Sequence, residues 1–276
     1  QYEAKSKAVQ TIINATGLGI DQVDAALEKL IWFTDETSYS FSDMTTNIGK
    51  FTSMGIDLDD SVDAMMGISN WAAVSGQGIN EASRAMYNLS QAMGIGAVKL
   101  QDWKSIENAN MATREFKQQV IDTAKAMGTL TDASDVTVEN FSSTLSKGWF
   151  TSDVLLSVLK EYGEYTNLVY EQVDAAGGSA ARAMELVDQL GLSYSEVSAK
   201  AFKAAQEART FSDAVEAVKD AVKSQWSTLF ESVFGNYEEA KVLWTDLANT
   251  LYDIFADPLA IINDTVKDAL GGDEIT

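Results

Sequence analysis

Amphipathic runs of roughly a dozen residues, each closed by a glycine and reopened by Ser, Thr, Asp or Asn, recur along this chain. Within them, apolar residues fall three and four apart, which places them on one side of an α-helix. Glycine after such a run fits a helix C-terminus, and a small oxygen-bearing residue fits the next N-terminus. One proline in 276 residues leaves little else to interrupt the pattern. The chain is thereby held to helices joined by short links. The expected fold is all-α, a compact multi-helix array of about 10–14 helices with longer helices near the C-terminus.

In chain order, residues 3–16 read as a helix stopped by Gly17. Asp21 is the expected cap of a helix carrying Val23, Leu27, Leu30 and Ile31 on one side. The polar link 34–40 leads to a helix from about Ser42 to Met54, and Asp59 is expected to cap another that stops at Gly76. The stretch Ser69 to Met111 reads as the tightly packed centre. Ala72, Ala73, Ala82, Ala85 and Ala92 let neighbouring helices approach, and Met86, Leu89 and Met93 share a face. Asn80 is the expected N-cap there and Gly94 the stop.

Phe116, Val120, Ile121, Ala124 and Met127 form the stripe of a helix ending at Gly128. Residues 131–140 alternate weakly around Val136 and Val138 and predict a loop or one small strand. A short helix near 138–146 precedes Gly148. Ser152 or Asp153 starts a helix that ends at Gly163, and helices at 165–176 and 179–190 meet at Gly177-Gly178. Ser193 or Ser195 caps the next, which runs to about Arg209.

Beyond that point Phe211, Val222, Val233, Trp244 and Phe255 recur every eleven residues, with Val215, Val218, Trp226, Leu229, Tyr237, Ala240, Leu247 and Leu251 between them. An 11-residue period runs nearly parallel to a straight helix axis. One reading is a single rod of about 45 residues, roughly 65–70 Å long. The favoured reading breaks it at Gly235-Asn236, where Asn236 and Glu239 form a capping-box variant. Asp257-Pro258 then opens a last helix to about Leu270, before a frayed GGDEIT tail. The expected organisation is a glycine-punctuated helical domain over 1–209, with a soft boundary near 129–138, and a long-helix region over 210–276 with an elbow at 235–236. Starting at Gln1 without methionine, the chain reads as a piece of a longer protein.

Composition removes most chemistry. With no cysteine and no histidine, the chain holds no disulfide, no thiolate and no Ser-His-Asp or Cys-His device. A net charge of −21, from 41 acids and 20 bases, leaves no basic island to neutralise phosphates and argues against specific nucleic-acid binding. No apolar run reaches the length of a membrane span.

GIDLDDSVD at 55–63 clusters four aspartates, but position six of a calcium loop counted from Asp57 is Val62 and position twelve is Ile68, so no metal site is expected. The glycines of SGQG and GIGAV lack a preceding strand and a following Gly-Lys-Ser/Thr, so helix links are the expected role and no cofactor is expected. Paired carboxylates such as Glu161 with Glu164, or Glu238 with Glu239, are the one catalytic device left. No spacing selects a pair, so no catalytic residue is expected. Trp32, Trp71, Trp103, Trp149, Trp226 and Trp244 are expected in the core. Val222, Trp226, Leu229, Val233, Tyr237, Trp244, Leu251 and Phe255 form a stripe apolar enough to meet a partner helix, in this chain or another.

The run NEASRAMYNLSQAM followed by DWKSIENANMATREFKQ resembles the central region of tape measure proteins of long-tailed bacteriophages. So do the runs from LEKLIWF to SQAM, from NFSSTLSKGWF to KEYGEY, and from QLGLSYSEV to NTLYDIF, together spanning about 16–256. The resemblance implies a structural, non-enzymatic domain acting in tail assembly, tail length determination and genome ejection. It implies other tape measure copies, tail tube and tail tip proteins and tail assembly chaperones as partners. It places the protein in the tail tube lumen of the virion, and in the host bacterial cytoplasm during assembly. Two other classes remain open. A membrane-acting or pore-forming segment needs a basic amphipathic face, against which the acidic faces count. A wall-degrading hydrolase needs two carboxylates across a cleft.

Overall fold

A computed structural model describes the backbone of residues 2–209 and, apart from 2–7, 15 and 79, their side chains. The helices are α1 (Tyr2–Thr16), α2 (Ile20–Glu36), α3 (Phe41–Ser53), α4 (Leu58–Val74), α5 (Ile79–Ile95), α6 (Leu100–Asn108), α7 (Arg114–Ala126), α8 (Phe141–Thr144), α9 (Ser152–Gln172) and α10 (Ala180–Gln189). A 3-10 turn, Leu145–Lys147, continues α8, and α11 covers 196–209. No strand occurs among the described residues; one isolated antiparallel bridge joins Ala97 to Thr151. The all-α expectation holds.

In α4 every residue from Ala64 to Ala72 is buried. A helix buried all round must be wrapped by others, and α2, α3, α5 and α9 wrap it, α9 most extensively. The sequence placed the centre at Ser69 to Met111; it begins instead at the start of α4 and reaches across the chain to α9. A Cβ on Gly67 would lie 1.8 Å from the Leu159 carbonyl oxygen, and one on Gly163 would lie 3.0 Å from that of Asp63. The two helices therefore meet backbone to backbone, with a glycine hydrogen facing a carbonyl in each direction.

This crossing explains one correction. Gly163 does not stop a helix: α9 runs 21 residues through it, joining the two segments expected at 152–163 and 165–176. Gly94 likewise lies inside α5, with the Met54 side chain against it. The stop is Gly96, at φ 87, whose N–H reaches the carbonyls of Ala92 and Met93. The caps also shift. Gly19, Asp57 and Gly78 are the N-caps of α2, α4 and α5, while Asp21 and Asp59 sit in the first turns, where the helix dipole favours acids. Asn80 is one residue inside α5 rather than its cap.

Residues 131–140 form turns and no strand. Met127 is 45% exposed, outside the stripe of Phe116, Val120, Ile121 and Ala124 that α7 buries. Trp71, Trp103 and Trp149 are core residues and Trp32 packs half-buried against the core. Trp226, Trp244, the eleven-residue stripe, the elbow at 235–236 and the longer C-terminal helices lie outside the described residues.

Glycines that look alike in sequence should separate by what a methyl would meet. Gly67→Ala is expected to lower the unfolding free energy by about 2–3 kcal/mol, because the clash exceeds the gain in helix propensity. Gly49→Ala, in α3 with nothing within 4 Å, is expected to raise it by about 0.5–1 kcal/mol. Urea unfolding followed by circular dichroism at 222 nm checks both.

Candidate functional site

The groups able to do chemistry are mostly committed to holding helices together. Asn70 on α4 is fully buried, and its Nδ2 donates to the Tyr162 carbonyl at 3.0 Å and to Thr166 Oγ1 at 2.8 Å. Ser198 on α11 accepts the Tyr165 N–H at 2.7 Å. The Tyr39 hydroxyl, held well above the usual phenol range by burial, donates to the Ser69 carbonyl at 2.7 Å. Most buried polar groups find such partners, though Asn70 Oδ1 has none among the described residues.

Two of the four aspartates at the start of α4 are similarly engaged. Asp63 accepts from Lys29 of α2 at 2.5 Å, and Asp60 accepts from Lys160 of α9. The hydrogen bond to Asp60 raises the Lys160 pKa, burial opposes it, and the charges of Asp60, Asp63 and Asp57 add to the rise. Among the described residues no group of three acidic side chains is arranged to hold a metal ion. The two glycine stretches are links. Gly76 closes α4 and Gly78 opens α5. In the second, Val98 donates to the Phe150 carbonyl and Ser152 to that of Gly96, which ties the end of α5 to the start of α9.

The carboxylates Glu161 and Glu164 stand three apart on α9, on one wall rather than across a cleft. Glu164 accepts the Ser195 N–H at 2.8 Å, next to the start of α11. Glu161 instead lines two open grooves. One, of about 370 Å³, lies between α4 and α9 and is lined by Asp63, Ser157, Lys160, Glu161, Glu164 and Asn167, with Leu168. The other, of about 490 Å³, lies between α7 and α9. From α7 it takes Glu115, Gln118, Gln119, Asp122, Thr123 and Ala126, whose spacing is one face of a helix. Sequence reading passed over that acidic face because it attended to the apolar stripe of the same helix. Glu238, Glu239 and the stripe Val222, Trp226, Leu229, Val233, Tyr237, Trp244, Leu251 and Phe255 lie outside the described residues.

The family model described as tape measure protein matches residues 1–190. No curated protein and no solved structure matches the chain.

Alkaline pH should loosen the seam. Burial raises the pKa of Tyr39 and Tyr162, and pushes that of Tyr165 up to about 12, from an ordinary 10.0. The unfolded chain therefore loses these phenolic protons first, and the stability they contribute is complete below pH 10 and lost above it. Lys160, raised from 10.5, has the same sign. The urea midpoint is expected to hold level from pH 7 to about 9, with no His or Cys to titrate there, and to fall from about pH 10 upward. Tyr39→Phe should cost about 1 kcal/mol at pH 7 and make the alkaline fall shallower. Unfolding curves at pH 7, 9, 10 and 11 check this.

Proposed function

The chain belongs to the tape measure protein family, structural components of bacteriophage tails, and from that premise we propose that it works by helix packing and protein–protein contact in tail assembly, tail length determination and genome ejection. The described helices act as a folded module within the tape. The observation that supports this best is the coincidence of the family match, 1–190, with α1 through α10, which end at Gln189. What the family shares is thus the wrapped α4–α9 framework. Its partners on this reading are other tape measure copies, the tail tube and tail tip proteins and assembly chaperones. Its place is the tube lumen, reached from the host cytoplasm.

We assign the division near residue 210 to a change of role, from folded module to contact region. The apolar stripe from Val222 to Phe255 is the surface we assign to a partner helix, on its eleven-residue period. A membrane-acting role draws less support: among the described residues, no helix is long and apolar enough to cross a membrane. A hydrolase draws less as well, since Glu161 and Glu164 share one wall and Glu164 is engaged by a backbone N–H.

The test is made in a tailed phage carrying this chain in its tape. Gly67→Leu, which drives a side chain into the Leu159 carbonyl, is expected to leave tails absent or misassembled in electron micrographs, while Gly49→Ala tails remain normal. In-frame removal of 1–209 is expected to shorten or abolish tails. Normal tail length and number in the deletion would overturn the proposal.

A further inference from the structure

We propose that the outer face shared by α3 and α5 is a docking surface for an acidic amphipathic helix of another protein, with Tyr87 as its anchor. The inference rests on the reading above only in that the module works through protein contacts.

Three contacts align the two helices side by side and in the same direction. Ser83 donates to Asp43 at 3.1 Å, Lys50 Nζ lies 4.2 Å from the centre of the Tyr87 ring, and Met54 packs against Gly94. On α5, Arg84, Tyr87, Gln91 and Ile95 follow at steps of three and four and so share a face. Lys50 and Met54 add the α3 edge. Large apolar side chains stay in water here: Met54 is 41% exposed, Tyr87 50% and Ile95 61%. Met127 and Leu190 are as exposed, but each is a single residue capping the end of a helix. Single exposed apolar residues are ordinary, whereas a grouped set marks a contact surface.

The face is also pre-arranged. Gln91 donates to the Tyr87 hydroxyl at 3.0 Å, and Lys50 donates to Asn47 at 3.0 Å while covering the Tyr87 ring. A tyrosine held in place before binding loses little freedom on binding, which suits an anchor.

Charge identifies the partner. In a chain with 41 acids, residues 44–56 and 82–101 contain none. The single acids of α3 and α5, Asp43 and Glu81, lie in the first turns and are engaged by Ser83 and Arg84. Lys50 has no ion pair among the described residues. At physiological salt, screening over about 8 Å removes the pull of remote carboxylates, so this face presents Lys50 and Arg84. A second copy set face to face would bring positive charge against positive charge. A helix with a leucine stripe flanked by carboxylates meets both features, the stripe on Tyr87, Ile95 and Met54 and the carboxylates on the two cations. From Arg84 to Ile95 the face is about 16 Å long, room for three helical turns.

The test uses the full 276-residue chain and a labelled 15-residue helical peptide with leucine at steps of three and four and glutamate beside them. Fluorescence anisotropy at physiological salt is expected to show saturable one-to-one binding, despite the net charge of −21. The same peptide with glutamine for glutamate should bind several-fold more weakly. Tyr87→Ala/Ile95→Ser should weaken binding about tenfold or more, and Lys50→Gln about two- to tenfold. Met127→Ser/Leu190→Ser should change it by less than about twofold. Far-UV circular dichroism confirms that each variant is folded. No binding, equal losses in the two double variants, or undiminished binding of the glutamine peptide would overturn the proposal. So would self-association in sedimentation, or uptake by phosphatidylglycerol vesicles, if either is abolished by Tyr87→Ala/Ile95→Ser. Those results would give the face to a second copy or to lipid. None of these outcomes bears on whether the module is needed for tails.

Discussion

Everything in the described fold hangs on the backbone contact between α4 and α9. Two helices come this close only where side chains are missing on both, and here Gly67 and Gly163 are the missing ones, each facing a carbonyl of the other helix. Each costs helix stability relative to alanine, on the order of 0.5–1 kcal/mol. That loss is offset because the approach brings Asn70 onto the Tyr162 carbonyl and Thr166, and Lys160 onto Asp60. These contacts join residues more than ninety positions apart. Contacts at such separation must overcome loop-closure entropy before they form, so they slow folding relative to local ones.

Around that seam, aromatic rings supply the bulk that the glycines lack. Trp71 stacks on Phe116 at 3.7 Å, Phe116 meets Trp103 and Tyr162, and Trp103 continues to Phe141 and Phe150. The Trp71 indole N–H reaches the Met111 carbonyl, so the same side chain fixes the link between α6 and α7. A second group joins Trp32, Phe33, Tyr165, Tyr170 and Phe202. α9 contributes to both, Tyr162 to the first and Tyr165 and Tyr170 to the second. Small residues at the crossing and large ones beside it are complementary requirements of one close-packed interior.

Sequence alone revealed the class of fold and most of its buried faces, because both follow from local period. Met86, Leu89 and Met93 of α5, and Phe116, Val120 and Ile121 of α7, are buried as their spacing implies. It misread Gly163 and Gly94, because a glycine that ends a helix and one that admits a neighbour look the same in text. What separates them is the partner, Asp63 for one and Met54 for the other, at long range in the chain. The aspartates of 55–63 were legible as a helix start but not as ion-pair partners of Lys29 and Lys160, for the same reason. The groove carboxylates were harder still. Glu115 and Asp122 read as a solvated face until Glu161 is brought opposite them by the packing of α7 on α9.

The distinction between committed and uncommitted acids is what lets a strongly acidic chain be read at all. A surplus of carboxylates keeps a protein dispersed, and at exposed positions it costs little because water and salt screen it. Asp60 and Asp63 at the start of α4 face cations that the same fold supplies. Glu115 and Glu161 line the groove between α7 and α9 with no ion pair to a cation among the described residues. Packing accounts for the helices that carry these two side chains. The two carboxylates themselves belong to the exposed surplus that water and salt screen.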